Sequence, residues 1–383
     1  MARAMIATAA LSPPGIPWET KVKRLISIGL AVVLVTGVAL AVIFGSGGGT
    51  DSAPLTTVRG VIGSEKLAFF SDQRVKDAFA RHGLDVQVDP AGSRQMAIQT
   101  DLSRYDFAFP SSSPAADRIR HDHGNAHTYA PFSSPMAVAT FAPIVDLLTK
   151  AGVVHKGAGD YDVLDIAKYM ELTANGTRWD QLPGNTSYPV RKNILITTTD
   201  PRDSNSAAMY LSIASYVANG FSVVNTQQQE ATILPKVTPL FTNQGYTQNS
   251  SDAPFEDYLS AGIGRNPMVL VYEAQYADRL VRDDGSIKPD MRLLYLSPTV
   301  YSKHTLVALK GPGDQVGQLL NSDPELSKLA ATFGFRTQDP KYFTQVVSEH
   351  KLPLPTSLVD TVDPPSFETL ERLLDAVGKQ YGA

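Results

Sequence analysis

The stretch VRGVIGSEKLAFFSDQRVKDAFARHGLDVQVDPAGSRQMA, residues 58–97, and the later run YDFAFPSSSPAAD, residues 105–117, decide the fold. Val58–Ile62 is a short apolar run, which is typical of a buried strand. Ser71 is suited to cap the helix that follows, and Gly83 is suited to end it. This stretch therefore predicts a strand followed by a helix that ends at Gly83.

The same alternation continues along the chain. Apolar and polar residues alternate over 84–88, a helix is predicted from about Arg94, and Tyr105–Phe109 is the next strand. Downstream, the pattern predicts a helix at Tyr161–Leu172 and a strand at Asn193–Thr198. This order predicts an α/β fold with helices packed on a sheet, and 383 residues are enough for two lobes.

The composition excludes several classes of function. The chain contains no cysteine, so disulfides, thiolate metal sites and a cysteine nucleophile are excluded. The formal net charge is −4, which gives no basic excess for a nucleic-acid partner. Gly311, Gly313 and Gly317 do not have the spacing of a dinucleotide-binding loop. We expect no cofactor.

An uncharged apolar run, Leu25–Phe44, precedes the α/β pattern. As a helix it spans roughly 30 Å, the thickness of a bilayer core. Basic residues cluster before it, which predicts a cytoplasmic tail over 1–24, a transmembrane helix over 25–44 and an extracytoplasmic body. Residues 45–56 are predicted to be a glycine- and serine-rich linker. The alternative is a cleaved secretory signal, which exports the body as well.

Polar loops follow four of the predicted strands and lead into helices. In open α/β sheets, ligands bind beyond the carboxyl ends of the strands, where helix N-termini present free N–H groups. Plain helix capping is the alternative explanation for serine and threonine at these positions. The candidate ligand-binding residues are Ser64, Glu65, Lys66, Ser93, Arg94, Ser112, Ser113, Asp200, Arg202, Ser204, Asn205 and Ser206.

These runs, with ILITTTDPRDSNSAAMYL at residues 194–211, resemble type II extracellular solute-binding proteins, the phosphate- and oxyanion-binding branch in particular. The resemblance implies a two-lobed fold with a hinge, with lobe 1 over 57–139 and 296–383 and lobe 2 over 140–295. It implies chain crossings near Met136–Phe141 and Leu294–Leu309. One departure is Ser204-Asn205-Ser206, where the phosphate branch has Ser-Gly-Thr.

The function implied by the resemblance is binding without catalysis. A small polar or anionic ligand would lie between the lobes, with Arg94 or Arg202 pairing with an anion, for delivery to an ABC permease or for a membrane sensor. A surface or interlobe salt bridge is the alternative role for each arginine. One alternative is a cell-surface interaction protein with a degenerate binding fold. A lower alternative is a serine-dependent hydrolase or transferase.

Three histidines within the segment HDHGNAH are the other feature with possible chemistry. His121, His123 and His127 are spaced closely enough to bind zinc or copper. The segment is polar and contains glycine, which favours a solvated loop instead. We therefore predict no metal site there.

Overall fold

The computed structural model describes residues 54–124, 126–244, 248–358 and 360–381. The chain separates into two units, and the larger one, Leu55–Ala383, contains every helix and strand given below. Within the described residues, no helix is both long enough and apolar enough to cross a bilayer. The predicted tail over 1–24 and the predicted anchor at Leu25–Phe44 lie outside the described residues, and both stay predictions.

The strands form two sheets that share one long strand. They are β1 (Thr56–Ile62), β2 (Leu84–Pro90), β3 (Phe107–Phe109), β4 (Thr128–Phe141), β5 (Val154–Lys156), β6 (Asp162–Asp165), β7 (Met268–Tyr272), β8 (Met291–Ser297), β9 (Tyr301–Ala308) and β10 (Arg336–Thr337). The first sheet has the order β2-β1-β3-β9-β4, with β10 also paired to β4. β1 is parallel to β2 and β3, whereas β9 is antiparallel to its neighbours.

β4 carries the chain from one sheet to the other. Its part from Thr128 to Pro135 pairs with β9 in the first sheet. Its part from Met136 to Phe141 pairs with β7 and β8, and β8 continues through β6 to β5. The chain returns between the end of β8 and the start of β9. Both crossings lie where the resemblance implied them.

Helices cover the faces of both sheets. They are α1 (Leu67–Ser71), α2 (Gln73–Arg81), α3 (Ser93–Ile98), α4 (Ser113–Asp122), α5 (Ala142–Lys150), α6 (Ile166–Ala174), α7 (Asn205–Ala218), α8 (Gln227–Val237), α9 (Pro239–Thr242), α10 (Asp252–Ala261), α11 (Glu273–Arg282), α12 (Gly311–Ser322), α13 (Pro324–Thr332), α14 (Pro340–Glu349) and α15 (Phe367–Gly378). We call the first sheet with α1–α4, α12 and α13 the first lobe. The second sheet with α5–α10 and α15 is the second lobe.

Each lobe has its own apolar core. Phe69, Phe70 and Phe107 are buried in the first core, where Phe69 and Phe70 meet edge to face at 5.2 Å between ring centroids. The second core is larger and includes Trp179 and Tyr210. Burying each of these aromatic side chains contributes roughly 2–3 kcal/mol. Because each sheet has its own core, each lobe is held together independently of the other.

The C-terminal helix does not follow the predicted division of the lobes. Residues 296–383 were assigned to lobe 1, yet Leu370, Leu373 and Leu374 of α15 pack in the second core. Ser366 caps the helix as an N-terminal serine should, since its hydroxyl accepts from the amide of Thr369. The amphipathic pattern predicted this helix but not the lobe on which it lies.

Three local predictions differ from the structure. The cap of α2 is Asp72, whose carboxylate accepts from the Arg74 amide, because Ser71 ends the preceding helix α1. The predicted helix at Tyr161–Leu172 begins as strand β6, and helix α6 starts only at Ile166. The predicted strand at Asn193–Thr198 is reduced to two isolated bridges, which join Asn193 to Arg178 and Thr197 to Val269.

Candidate functional site

A cavity of about 200 Å³ lies between the two lobes. It is formed where parallel strands β1 and β2 end and where helix α7 begins, as expected for an open α/β sheet. The first lobe contributes Gly63, Ser64, Glu65, Pro90, Ala91, Gly92, Ser93, Gln95 and Ser111. The second lobe contributes Ser204, Asn205, Asn249, Ser250, Ser251 and Tyr272. The lining is therefore mostly hydroxyl and amide groups, with one carboxylate.

Two glycines allow the walls to approach each other. A Cβ on Gly63 would lie 2.3 Å from the Ser111 hydroxyl oxygen, and one on Gly92 would lie 2.3 Å from the carbonyl oxygen of Asp203. Gly92 belongs to the first lobe and Asp203 to the second, so the absence of a side chain there allows the lobes to come together. A larger residue at position 63 would displace the Ser111 and Glu65 side chains, and one at position 92 would displace the backbone at Asp203.

Hydrogen bonds cross the cleft directly. The Asn205 side-chain amide is 3.2 Å from the Ser111 carbonyl oxygen, 3.2 Å from the Ser302 hydroxyl and 2.9 Å from the Tyr272 hydroxyl. Its two protons are shared among these acceptors. The hydroxyls of Ser64 and Ser250, from opposite lobes, are 2.8 Å apart. Asn205 and these serines therefore hold the two walls together.

The floor of the cleft, a cluster of Glu65, Lys66, Ser111 and His304, lies within the first lobe. The Lys66 ammonium is 2.5 Å from Glu65 Oε1, 2.9 Å from Ser111 Oγ and 3.1 Å from His304 Nδ1. Ser111 also donates its hydroxyl proton to Glu65. Lys66 and His304 are completely buried, while Glu65 retains slight exposure to the cavity. The ammonium sits 4.9 Å from the centre of the Phe109 ring.

Burial and charge set the protonation of the floor. Burial alone would raise the pKa of Glu65, but the positive charge of Lys66 and the hydrogen bond that its ammonium donates hold that pKa well below its usual range. Burial lowers the pKa of Lys66, and the Glu65 carboxylate opposes this. Burial, reinforced by the Lys66 charge, lowers the pKa of His304 to about 4. At neutral pH His304 is therefore uncharged.

The three protons of the ammonium match its three neighbours: Glu65, Ser111 and His304 Nδ1. His304 Nε2 is then left as an N–H group, and it is buried with no hydrogen-bond partner among the described residues. Aromatic rings surround it, with the Phe335 centroid 5.3 Å and the Phe132 centroid 5.5 Å from the imidazole.

This arrangement bears on the serine-enzyme alternative. Lys66 reaches the hydroxyl of Ser111, which lines the cavity, so the two residues resemble a serine–lysine pair in position. The ammonium, however, donates to the hydroxyl and is paired with a carboxylate. A lysine that activates a serine must instead be neutral and accept its proton. The floor is a hydrogen-bonded ion pair, and it is not arranged for nucleophilic catalysis.

The two candidate arginines do not line the cavity. Arg94 pairs with Glu371 at 2.7 Å and Asp375 at 2.5 Å, and it donates to the carbonyl oxygen of Arg202 at 2.6 Å. Arg202 pairs with Asp200 at 2.5 Å and lies over the Tyr381 ring. Both guanidinium groups are thus occupied by protein carboxylates, which is the salt-bridge alternative for each arginine. Asp200 is only two positions from Arg202, whereas Glu371 and Asp375 are remote from Arg94 along the chain.

The other predicted site residues fall into two sets. Ser64, Glu65, Ser93, Ser204 and Asn205 line the cavity, and their role in binding stays a prediction. The remaining residues are not in its lining, and most of them have structural partners: Lys66 lies in the floor beneath the cavity, Ser112 and Ser113 begin α4, Asp200 pairs with Arg202, and the Ser206 hydroxyl meets that of Thr199 at 2.7 Å.

The three histidines of the HDHGNAH segment each have a different partner. His121 contacts Asp122, His123 contacts the Ile119 carbonyl oxygen, and His127 contacts Asp314. Within the described residues, no cluster of three or more potential metal ligands is found.

Sequence reasoning missed His304, Tyr272 and the segment Asn249–Ser251. His304 and Tyr272 lie in runs that read simply as strands, β9 and β7. Asn249–Ser251 precedes α10, where Ser251 occupies the position of a helix cap. The polar run Asn249-Ser250-Ser251 before a helix was the one signal available for these residues.

No family model matches the sequence, and no curated protein matches it. Solved structures do match. A periplasmic thiamin binding protein has a TM-score of 0.52 at 10% identity, over 86% of this chain and 97% of its own. Iron-bound HitA from Pseudomonas aeruginosa has a TM-score of 0.51 at 12% identity, over 86% of this chain and 100% of its own. This is the two-lobed fold of the periplasmic binding proteins.

A third match is the sulfate-binding protein SubI from Mycobacterium tuberculosis, with a TM-score of 0.49 at 15% identity, over 82% of this chain and 96% of its own. At these identities the comparisons establish the fold alone. The predicted α/β, two-lobed class is thereby confirmed, while neither the ligand nor the phosphate branch follows from it.

Proposed function

We propose that this chain is an extracytoplasmic solute-binding protein that encloses a small polar ligand between its lobes. The observation that carries the proposal is the cavity of about 200 Å³, whose hydroxyl and amide lining comes from both lobes. A ligand there would contact both walls at once, so its binding would favour the closed arrangement of the lobes.

The connections between the lobes suit a hinge. One is strand β4, which is continuous through both sheets, and the other is the short segment between β8 and β9. Few-residue connections of this kind absorb the rotation in domain closure. Opening would separate Asn205 from Ser111 and Ser64 from Ser250, the contacts that close the cleft.

The cavity limits the size of the ligand. A volume of about 200 Å³ lies below the roughly 300–1,000 Å³ of most small-molecule pockets. We therefore propose a compact solute. The anionic part of the sequence-based prediction has no support from Arg94 or Arg202, because both are paired with carboxylates outside the lining.

Membrane attachment and delivery form the rest of the proposal. The apolar run Leu25–Phe44 supports a tether that keeps the binding lobes close to the bilayer, with the N-terminus cytoplasmic. A tethered receptor would pass its ligand to an ABC permease or report it to a membrane sensor. Protease protection in inverted vesicles tests this topology: the body should be protected, and full digestion of the body would contradict it.

A ligand screen on the full-length chain in detergent tests the binding function. Oxyanions, sugars, amino acids, amines, thiamin and metal ions are added singly, and the melting temperature is recorded. A tight ligand raises the melting temperature by mass action. Asn205→Ala should remove the rise, because it removes a cavity wall and the contacts that close the cleft.

Two results would contradict the proposal. If no compound raises the melting temperature, the solute-binding function is contradicted, and the alternative of a cell-surface interaction protein is favoured. If a compound raises it equally in the native chain and in Asn205→Ala, the compound binds elsewhere and the cleft is not the site.

A further inference from the structure

The charges that line the cleft restrict the class of ligand more than the cavity volume does. Among the residues that the structure describes, the lining of the cavity contains no lysine, arginine or histidine, and its one charged side chain is Glu65. The hydrogen bonds that Glu65 accepts from Lys66 and Ser111 both go to Oε1. In the part of the chain that the structure describes, Oε2 accepts no hydrogen bond. The carboxylate therefore has acceptor capacity left on the side of the cleft.

A second carboxylate faces the cleft from the opposite lobe. A neighbouring cavity of about 210 Å³ shares Ser64 and Glu65 with the first, and Asp252 lines it. Asp252 accepts from Gln275 at 2.7 Å and from Ser250 at 3.4 Å. No ion pair joins it to a basic residue of the described chain. The acids that α10 and α11 add to this cavity besides Asp252 are paired, Glu256 with Arg279 and Asp278 with Arg282.

The two carboxylates interact unfavourably when the lobes are together. Burial raises the pKa of Asp252, and the negative charge of Glu65 raises it further. Asp252 begins helix α10, where an acid is also favoured by the helix dipole, so its presence alone does not indicate a ligand. A ligand is indicated instead by the combination of two facing carboxylates, one of which lacks a cationic partner.

We propose that the ligand carries a cationic nitrogen, such as an ammonium or guanidinium group, which is held between Glu65 of the first lobe and Asp252 of the second. This inference rests on the proposed solute-binding function and names the chemical class of its ligand. A positive group there donates charge-assisted hydrogen bonds to the carboxylates of both walls and removes the repulsion that opposes closure. Oxyanions would meet two carboxylates, while the arginines of the neighbouring cavity, Arg279 and Arg282, are already paired with Glu256 and Asp278, so oxyanions should be rejected.

Calorimetric titration of the full-length chain in detergent tests this class. The probes are ethanolamine, putrescine and agmatine as cations, sulfate, phosphate and molybdate as anions, and glucose and galactose as neutral solutes. At least one amine should bind, and added salt should weaken its binding. Asp252→Asn should raise the amine Kd at least about tenfold, because the amide has no charge to offer.

A matched control lies on the same helix. Asp257 of α10 is paired with Arg265 at 3.0 Å and lines neither cavity, so Asp257→Asn should leave the amine Kd within about twofold. Glu65→Gln should also weaken binding, and Asp252→Asn keeps the test valid if loss of Glu65 prevents folding.

The outcomes separate the two proposals. Binding of an oxyanion or a sugar without any amine would overturn the cationic class and leave the solute-binding function standing. Equal amine affinity in Asp252→Asn and the native chain would also overturn it. If no probe and no compound of the wider screen binds, both proposals fail together.

Discussion

Two ion-pair clusters flank the cleft, and they differ in what they join. The floor cluster joins Lys66 to Glu65 within the first lobe, with both side chains almost completely buried. The mouth cluster joins Arg94 of the first lobe to Glu371 and Asp375 of α15, with side-chain exposures of 12%, 17% and 56% respectively. The floor therefore belongs to the folded lobe itself, whereas the mouth belongs to the contact between lobes.

The difference follows from solvation. Breaking a buried pair by removing one partner leaves an uncompensated charge, which costs several kcal/mol. Opening a pair near the surface exchanges it for water at little cost. We conclude that the mouth can separate during opening of the cleft while the floor stays intact. The following changes test that contrast.

Removal of the floor cation should have the largest effect. Lys66→Met leaves Glu65 buried without its ammonium, and we expect the free energy of unfolding to fall by about 3–5 kcal/mol in urea titrations. The matched control is Lys303→Met, since Lys303 pairs with Asp363 in the same lobe at 56% and 82% exposure, and its loss should cost less than about 1 kcal/mol. Equal losses in the two variants would show that the buried Lys66–Glu65 pair contributes no more to stability than an exposed pair does.

Acidification should have the second largest effect, a loss of folding stability that arises from His304 in the floor cluster. The pKa of His304 is about 4 in the folded chain against 6.5 for a free imidazole, so the unfolded chain binds the proton first as pH falls from 6.5 to 4. Stability is therefore full above pH 6.5 and declines by about 3 kcal/mol by pH 4. Glu65, whose pKa is also lowered, adds to the loss below its ordinary pKa of 4.5.

Urea titrations at several pH values measure this loss, with His304→Asn as the comparison. Asn has no titrating group, so the variant should show a much shallower decline between pH 6.5 and pH 4. A decline of the same steepness in both proteins would assign the acid sensitivity to other groups.

Removal of Arg94, the cation of the mouth cluster, should lower the free energy of unfolding by less than removal of Lys66. It should also change the distance between the lobes. Arg94→Met frees Glu371, Asp375 and the Arg202 carbonyl oxygen, and we expect a loss of about 1–2 kcal/mol. Spin labels on Lys76→Cys and Thr232→Cys, exposed positions on opposite lobes, measure the distance between lobes. The absence of native cysteine makes this labelling specific.

The distance distribution should lengthen or broaden in Arg94→Met. Arg74→Met is the control, because Arg74 pairs with Asp72 inside the first lobe at 61% exposure and should leave the distance unchanged. An unaltered distribution in Arg94→Met would mean that the mouth does not hold the lobes together.

The smallest effect is expected at the hydroxyl contact across the cleft. Ser250→Ala removes one hydrogen bond to Ser64, which should cost about 0.5–1.5 kcal/mol in urea titrations. A double-mutant cycle with Ser64→Ala isolates the contact, and additive losses would show that the two hydroxyls do not interact in solution.

The sequence predicted the parts of the site that depend on local order. Strands β1 and β2 end together because they are parallel, so Ser64 and Ser93 were expected to meet, and they do. The glycine and serine signals at these loops are local, and so is the amphipathic face of α15. These features required only the period of apolar residues and the chemistry of caps.

The sequence did not predict the partners of the charged residues. Arg94 and Glu371 are 277 positions apart, and His304 and Lys66 are 238 positions apart. No local pattern connects such residues, since their contact exists only after both lobes have formed. An arginine in a polar loop was interpreted as a ligand group for this reason, when its tertiary partner is a helix near the C-terminus.

Helix α15 also has a consequence for biosynthesis. It follows every other helix and strand that the structure describes, so the ribosome makes Glu371 and Asp375 after the sheets of both lobes. Domains begin to fold in the order of their synthesis. The nascent chain therefore passes through a stage in which Arg94 has neither carboxylate partner and the second core lacks Leu370 and Leu373. We expect a chain whose translation stops before residue 366 to lack the partners of Arg94 and part of the second core, and therefore to be cleaved by proteases more readily than the full chain.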